Sequence, residues 1–109
     1  MAGDEIACPT NYNRGDMKIA AIVQYTPDAS LIAKVRPAHR QYLKSLFDEG
    51  KIAISGPFSD DGGGLMVYEA ESKEEVETII AADPFAQSGV FVSWELRPWN
   101  VVFANKNLF

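Results

Sequence analysis

Lys51-Ile-Ala-Ile-Ser-Gly-Pro-Phe58 is followed, across Ser59–Gly64, by a second apolar run, Leu65-Met-Val-Tyr-Glu-Ala70. Both runs contain β-branched or aromatic residues and are bounded by glycine or proline, which is typical of strands. The segment between them ends in three consecutive glycines. It lacks the following helix and lysine of a phosphate-binding loop, so it predicts only a flexible turn. This strand–turn–strand unit lies mid-chain, and the elements on either side of it decide the fold.

A helix is predicted before this unit. Thr26-Pro27 is typical of a helix start, with threonine as N-cap and proline at the first helical position. Pro37 interrupts the segment, because proline lacks a backbone donor and clashes with the preceding turn. We therefore expect a short helical lead-in, a break near residues 34–36, and a main helix over residues 37–49 that is closed by Gly50.

A second helix is predicted after the unit. Ser72, with a glutamate three residues later, forms a capping box that opens a helix reaching Ala82. Asp83-Pro84 ends this helix, since the residue before a proline is disfavoured in helical conformation. A short loop closed by Gly89 should follow.

One further strand lies at each end of the core. Residues 18–25 are β-branched and aromatic enough for a first strand, and residues 90–104 predict a long last strand with a bulge or edge position at Pro98. The resulting order, β-α-β-β-α-β, is the α+β ferredoxin-like pattern. Both helices then cover one face of the sheet. We expect the bare face to pack against a second copy, giving a homodimer joined sheet to sheet.

Composition limits the classes of function. The chain has 109 residues, enough for one domain, and its acidic net charge of −5 argues against nucleic acid and anionic membrane partners. The lone Cys8 excludes an internal disulfide and fits a reducing cytoplasm. Residues 1–16 are polar with little apolar periodicity, so we interpret them as an extension that precedes a folded domain over 17–109. They contain no apolar stretch typical of a signal peptide.

His39 is the only histidine of the chain, and the helical pattern turns it toward the apolar side. Asp83 lies at the predicted end of the second helix. A histidine that meets a carboxylate can shuttle protons near neutral pH, with the acid orienting the ring. The same pair could instead be a structural hydrogen bond between the two helices. One histidine and no clustered ligands make a metal site improbable.

Several short motifs, in this order and spacing, together resemble the YciI-like (YCII-related) family over residues 18–102. They are Arg36-Pro37-Ala38-His39, Asp48-Glu49-Gly50-Lys51, Ser55-Gly56-Pro57-Phe58, Asp83-Pro84-Phe85, Gly89-Val90 and Trp94-Glu95-Leu96-Arg97-Pro98-Trp99.

This resemblance implies a ferredoxin-like protomer in a dimeric α+β barrel. It also implies a catalytic pair formed by His39 and Asp83, beside a cavity lined by the Ser55-Gly56-Pro57 turn. Related dimeric α+β barrels act on hydroxylated or halogenated aromatic rings, as muconolactone isomerases and dehydrochlorinases do. The short segment between the second and third strands should leave the pocket more open than in the family.

The resulting hypothesis is a small cofactor-free lyase or isomerase that moves protons on a small cyclic or aromatic substrate. The alternative is a non-catalytic ligand-binding or dimerisation module in which the pair is structural. Each candidate substrate-binding residue also has an ordinary interpretation, as a strand end, an exposed cation, or a core or interface residue. These candidates are Ser55, Arg36, Pro57, Phe58 and Phe85.

Overall fold

A computed structural model describes residues 17–105 and contains four strands and three helices. In chain order they are β1 (Met17–Tyr25), α1 (Ala29–Asp48), β2 (Ile52–Pro57), β3 (Gly63–Ala70), α2 (Lys73–Ala81), α3 (Pro84–Ser88) and β4 (Phe91–Pro98). The strands form one antiparallel sheet in the order β2-β3-β1-β4. The α+β ferredoxin-like order is therefore confirmed, and it is the protomer fold of dimeric α+β barrels.

The core lies between the helices and one face of the sheet. Every second residue of β1, from Ile19 to Tyr25, is buried, as expected of a strand with one covered face. Ile32 and Leu46 of α1 and Val76 of α2 join the same apolar cluster. The helical side of the sheet is thus dry, and the opposite side is left for solvent or a partner.

The opposite side of the sheet exposes apolar side chains. Ile22 of β1 and Leu65 of β3 are cross-strand partners, and each is 37% exposed. Their strand parity is opposite to that of the core residues, so both point away from the helices. Adjacent apolar groups of this kind are typical of a protein–protein contact surface.

The first helix differs from the prediction, because α1 runs without a break through Pro37. Proline removes only the bond to the Ala33 carbonyl. The buried stripe Ile32, His39 and Leu46, spaced two turns apart, continues on both sides of the proline and holds the helix on the sheet.

The N-cap of α1 is Asp28 and not Thr26. The Asp28 carboxylate accepts hydrogen bonds from the Ser30 hydroxyl, at 2.8 Å, and the Leu31 N–H, at 3.1 Å. These two bonds, the Ser30 bond first, hold the pKa of Asp28 below its usual value. A carboxylate that caps the helix also complements its dipole, which favours a start two residues later than predicted.

The predicted turn through Gly64 was too long, because Gly63 and Gly64 are already part of β3. A Cβ on Gly63 would lie 2.1 Å from the Val23 carbonyl oxygen of β1. Glycine therefore serves here to bring two strands together, rather than to loosen a turn.

Two further boundaries differ. The predicted loop between Pro84 and Gly89 is the short helix α3, and Gly89 closes it with a left-handed φ of 89°. The last strand ends at Pro98, six residues before the predicted limit, as expected where proline supplies no ladder donor.

The predicted extension over residues 1–16 lies outside the described residues. Among residues 17–105, no helix has the length and apolar character needed to cross a bilayer.

Candidate active site

His39 is held at the centre of α1 by aromatic packing. Its side chain is almost fully buried, at 7% exposure. The imidazole stacks on the Phe85 ring of α3, with centroids 3.8 Å apart and planes 8° from parallel, and Phe91 meets its edge at 5.9 Å. Because two rings fix its plane, the imidazole has little freedom to rotate away from a partner in α3.

Asp83 is that partner, and the start of α3 fixes its position. As N-cap, its Oδ1 accepts the Phe85 N–H at 2.8 Å, and the same oxygen lies 2.7 Å from His39 Nδ1. The residue is fully buried. Its other oxygen, Oδ2, has no hydrogen-bond partner among residues 17–105. The two predicted site residues therefore meet in space, 44 positions apart in sequence.

The contact sets the tautomer of the imidazole. A carboxylate oxygen accepts hydrogen bonds, so in this contact Nδ1–H is the donor to Oδ1 of Asp83. The other nitrogen, Nε2, makes no hydrogen bond within residues 17–105. In that part of the chain, Asp83 Oδ2 is the only fully buried side-chain nitrogen or oxygen that lacks a partner, so Nε2 is not one of these atoms. Within residues 17–105 this leaves Nε2 open to a ligand, which is the arrangement that acid–base chemistry would need.

A cavity of about 520 Å³ lies beside the imidazole, between α1 and the edge strand β2. Four of the predicted site residues line it: Arg36, His39, Ser55 and Pro57. Its volume falls in the range of small-molecule sites. The apolar part of the wall is formed by Val23, Leu43, Phe47, Ala53, Ile54 and Met66.

The two predicted aromatic walls do not line this cavity. Phe85 is fully buried beneath the imidazole, so it supports His39 and cannot reach a ligand. Phe58 is 45% exposed and lies just past the end of β2, outside the lining. The sequence placed both next to site motifs, but neighbouring residues of a strand or helix start point in different directions.

Arg36 reaches the cavity from α1 and is held by an ion pair. Its Nη2 lies 2.6 Å from Oδ1 of Asp61, which belongs to the segment between β2 and β3. Asp61 has a φ of 59°, the left-handed conformation that aspartate tolerates better than most residues. The short segment between the strands therefore supplies a carboxylate at the edge of the site.

Sequence reasoning missed Tyr25 and Arg40, which also line the cavity. Burial, above all, raises the pKa of Tyr25, and Asp61 and Asp83 add to the rise while Arg36 and Arg40 oppose it. The phenol therefore stays protonated and can donate a hydrogen bond. The sequence did contain a sign of this role, because Tyr25 is the last of the inward-facing residues of β1 and has a polar hydroxyl at its tip.

Within residues 17–105, no group of three histidine, cysteine, aspartate or glutamate side chains is arranged to hold a metal ion. Arginine, lysine, histidine and tyrosine are the ionisable side chains that line the cavity, and no aspartate or glutamate is among them.

Comparisons with known proteins identify the family and agree with the fold. The sequence model of the YCII-related domain matches residues 17–100. Protein YciI of Escherichia coli is 34% identical over 79 residues, covering 63% of this chain and 81% of that protein. The uncharacterised protein YjpA of Bacillus subtilis is 40% identical over 63 residues, covering 54% and 74% respectively.

A solved structure is also similar. It is the 5-chloro-2-hydroxyhydroquinone dehydrochlorinase of Burkholderia phenoliruptrix, in complex with 2,5-dihydroxybenzoquinone. The TM-score is 0.68 at 28% sequence identity, and the match covers 77% of this chain and 94% of the other.

Proposed function

Since the chain belongs to the YCII-related domain family, we propose that it is a small enzyme of the lyase or isomerase type. It uses His39 as general acid/base and Asp83 as the partner that orients the ring. The substrate is a small ring that carries hydroxyl or halogen groups. The similar dehydrochlorinase, which holds a hydroxylated quinone, supports this substrate class.

One observation carries the proposal. His39 Nδ1 lies 2.7 Å from Asp83, while Nε2 is unpaired within residues 17–105, and the residue borders a cavity of about 520 Å³. A purely structural pair would have both nitrogens satisfied and sealed. The accessible second nitrogen therefore favours an enzyme over the alternative of a ligand-binding or dimerisation module.

A dehydrochlorination illustrates the chemistry. His39 Nε2 takes a proton from the substrate, and Asp83 stabilises the imidazolium that forms. The reacting form is the keto tautomer, in which one hydroxyl proton has moved to the ring carbon that bears chlorine. From it the electron pair freed by Nε2 moves through the ring, the carbon–chlorine bond breaks, and chloride leaves with the bonding pair. The protonated imidazole then returns its proton to water or to the product. No net oxidation occurs, and the protein supplies the base.

The decisive experiment measures chloride release from 5-chloro-2-hydroxyhydroquinone, the substrate named for the similar enzyme. We expect turnover by the unaltered protein and a fall of about 10²–10⁴-fold in His39→Gln, which lacks the base. Asp83→Asn should lower kcat by at least about tenfold, because the amide oxygen can keep both hydrogen bonds while the negative charge is lost.

The control for these variants is the fold. Asp83 also caps α3, so each variant must retain the far-ultraviolet circular dichroism and cooperative melting of the parent. Normal turnover by a folded His39→Gln protein would contradict the acid–base assignment, and the pair would then be structural.

We also propose a cellular location and an oligomeric state for this enzyme. The single cysteine supports a reducing cytoplasm. The exposed apolar pair Ile22 and Leu65 on the helix-free sheet face supports a homodimer.

A further inference from the structure

The charge of the cavity is opposite to that of the chain. The whole sequence carries a net charge of −5. The cavity lining nevertheless contains three cationic residues, Arg36, Arg40 and Lys44, and no aspartate or glutamate. The three are spaced four residues apart on α1, so they form one row along a single side of the helix. A row of positive charges in a concave site attracts and concentrates negatively charged ligands.

The three cations differ in how they are occupied. Arg36 is paired with Asp61 at 2.6 Å, and Lys44 with Asp48 one helical turn away at 2.8 Å. Arg40, between them, has no carboxylate within ion-pair distance among residues 17–105 and is exposed. With respect to the described residues its guanidinium donors are therefore free for a ligand, in a planar arrangement that suits carboxylate oxygens.

We propose that the cavity selects anionic ring compounds, a ring carboxylate or a phenolate, with Arg40 as the first contact of the negative group. Arg36 joins it when the ligand displaces Asp61. The carboxylate of Asp61 therefore competes with the ligand for Arg36 and weakens anion binding. This inference rests on the proposed function and names the substrate class of the same site.

The arrangement gives each side of the ligand a role. The anionic group faces the arginines, while the ring extends toward the apolar wall and His39 Nε2. Tyr25 also lines the cavity, and its hydroxyl can donate to a second oxygen of the ring. A neutral ring would satisfy the apolar wall but would leave Arg40 without a partner.

The test compares salicylate with salicylamide, which has the same ring and hydroxyl but no carboxylate charge. Isothermal titration calorimetry at low ionic strength should give at least about tenfold tighter binding of salicylate. Added salt should reduce this preference, since the contacts are electrostatic. Equal binding of the two ligands, or no salicylate binding at millimolar concentration, would overturn the inference.

Arg40→Gln should remove most of the preference by weakening salicylate binding alone. Lys34→Gln is the matched control, because Lys34 lies on the same helix, is exposed and does not line the cavity. If both variants weaken salicylate binding equally, only the overall charge matters and the assignment of Arg40 is wrong.

Asp61→Asn should have the opposite effect and tighten salicylate binding by about three- to tenfold, because it releases Arg36. Asparagine tolerates the left-handed φ of this position, so the turn is preserved. Asp60→Asn is the control, because it makes the same change of charge at the preceding residue and its Oδ1 can still accept the Gly62 N–H. It should have a smaller effect on salicylate binding. An Asp61→Asn protein that binds salicylate no more tightly than Asp60→Asn would contradict the role of Asp61.

Failure of this inference can be separated from failure of the proposed function. His39→Gln should keep the preference for salicylate while losing turnover. If the unaltered protein prefers salicylate but releases no chloride, the acid–base proposal fails and the anion site stands. If turnover depends on His39 while salicylate and salicylamide bind equally, the reverse holds.

Discussion

A single oxygen atom organises the candidate site. Oδ1 of Asp83 accepts hydrogen bonds from both the Phe85 N–H and His39 Nδ1. The first bond fixes the position of the carboxylate by capping a helix, and the second holds the imidazole in a defined orientation against that carboxylate. The ring of Phe85 then supports the imidazole from below. Asp83-Pro84-Phe85 thus serves as a support that places one histidine beside a cavity.

Phe85 and Phe58 provide a matched pair for testing this support. Phe85→Leu should reduce the free energy of unfolding by about 1–3 kcal/mol, because it leaves a gap under the imidazole in a fully buried site. Phe58→Leu, at a 45% exposed position, should change it by less than about 0.5 kcal/mol. Urea unfolding measures both. Equal losses in the two variants would mean that Phe85 is not the packing support described.

The sequence predicted the residues of the pair better than the reason they meet. Local rules placed His39 on the apolar side of a helix, which is found. They placed Asp83 at the end of the second helix, whereas it lies just beyond that end and caps the start of α3. Nothing local could bring positions 44 apart to 2.7 Å, since that distance depends on how α1 and α3 pack. The family resemblance carried that step. Tyr25 was missed because its side chain is read as core from strand alternation alone.

Among the elements, β3 depends on two glycines at its start. A methyl group on Gly63 would overlap the Val23 carbonyl at 2.1 Å, and one on Gly64 would lie 2.9 Å from the Gly56 carbonyl oxygen. Glycine runs ordinarily indicate turns, so the sequence rule extended the turn too far. Pro37 misled the prediction in the same way, since a packed helix outweighs one lost hydrogen bond. Element order could be predicted, whereas boundaries that depend on neighbouring strands could not.

Gly63→Ala should therefore destabilise the protein by about 1–3 kcal/mol, because β1 and β3 must separate to admit the methyl group. Gly56→Ala is the control, since its added Cβ meets nothing within 4 Å, and it should cost less than about 0.5 kcal/mol. Thermal melting by circular dichroism measures both. A Gly63→Ala protein as stable as the parent would show that the strands do not approach as closely as described.

At the scale of the whole molecule, the two faces of the sheet have different tasks. The helical face forms the core and holds His39 and Asp83, and the edge strand β2 forms one wall of the cavity. The other face carries Ile22 and Leu65 as an exposed cross-strand pair. The element order predicted this division, because two helices in a split β-α-β pattern cover one face only.

We therefore expect a homodimer that buries the helix-free face. Light scattering at micromolar concentration should give twice the mass of the chain, and Ile22→Glu should shift the protein toward monomer, because it would bury an unpaired charge against the partner. Phe47→Glu is the control: Phe47 is 56% exposed, but it lies on α1 at the other side of the sheet, so that variant should remain dimeric. A parent protein that scatters as a monomer would refute the dimer, and dissociation by Phe47→Glu but not Ile22→Glu would move the interface to the helical side.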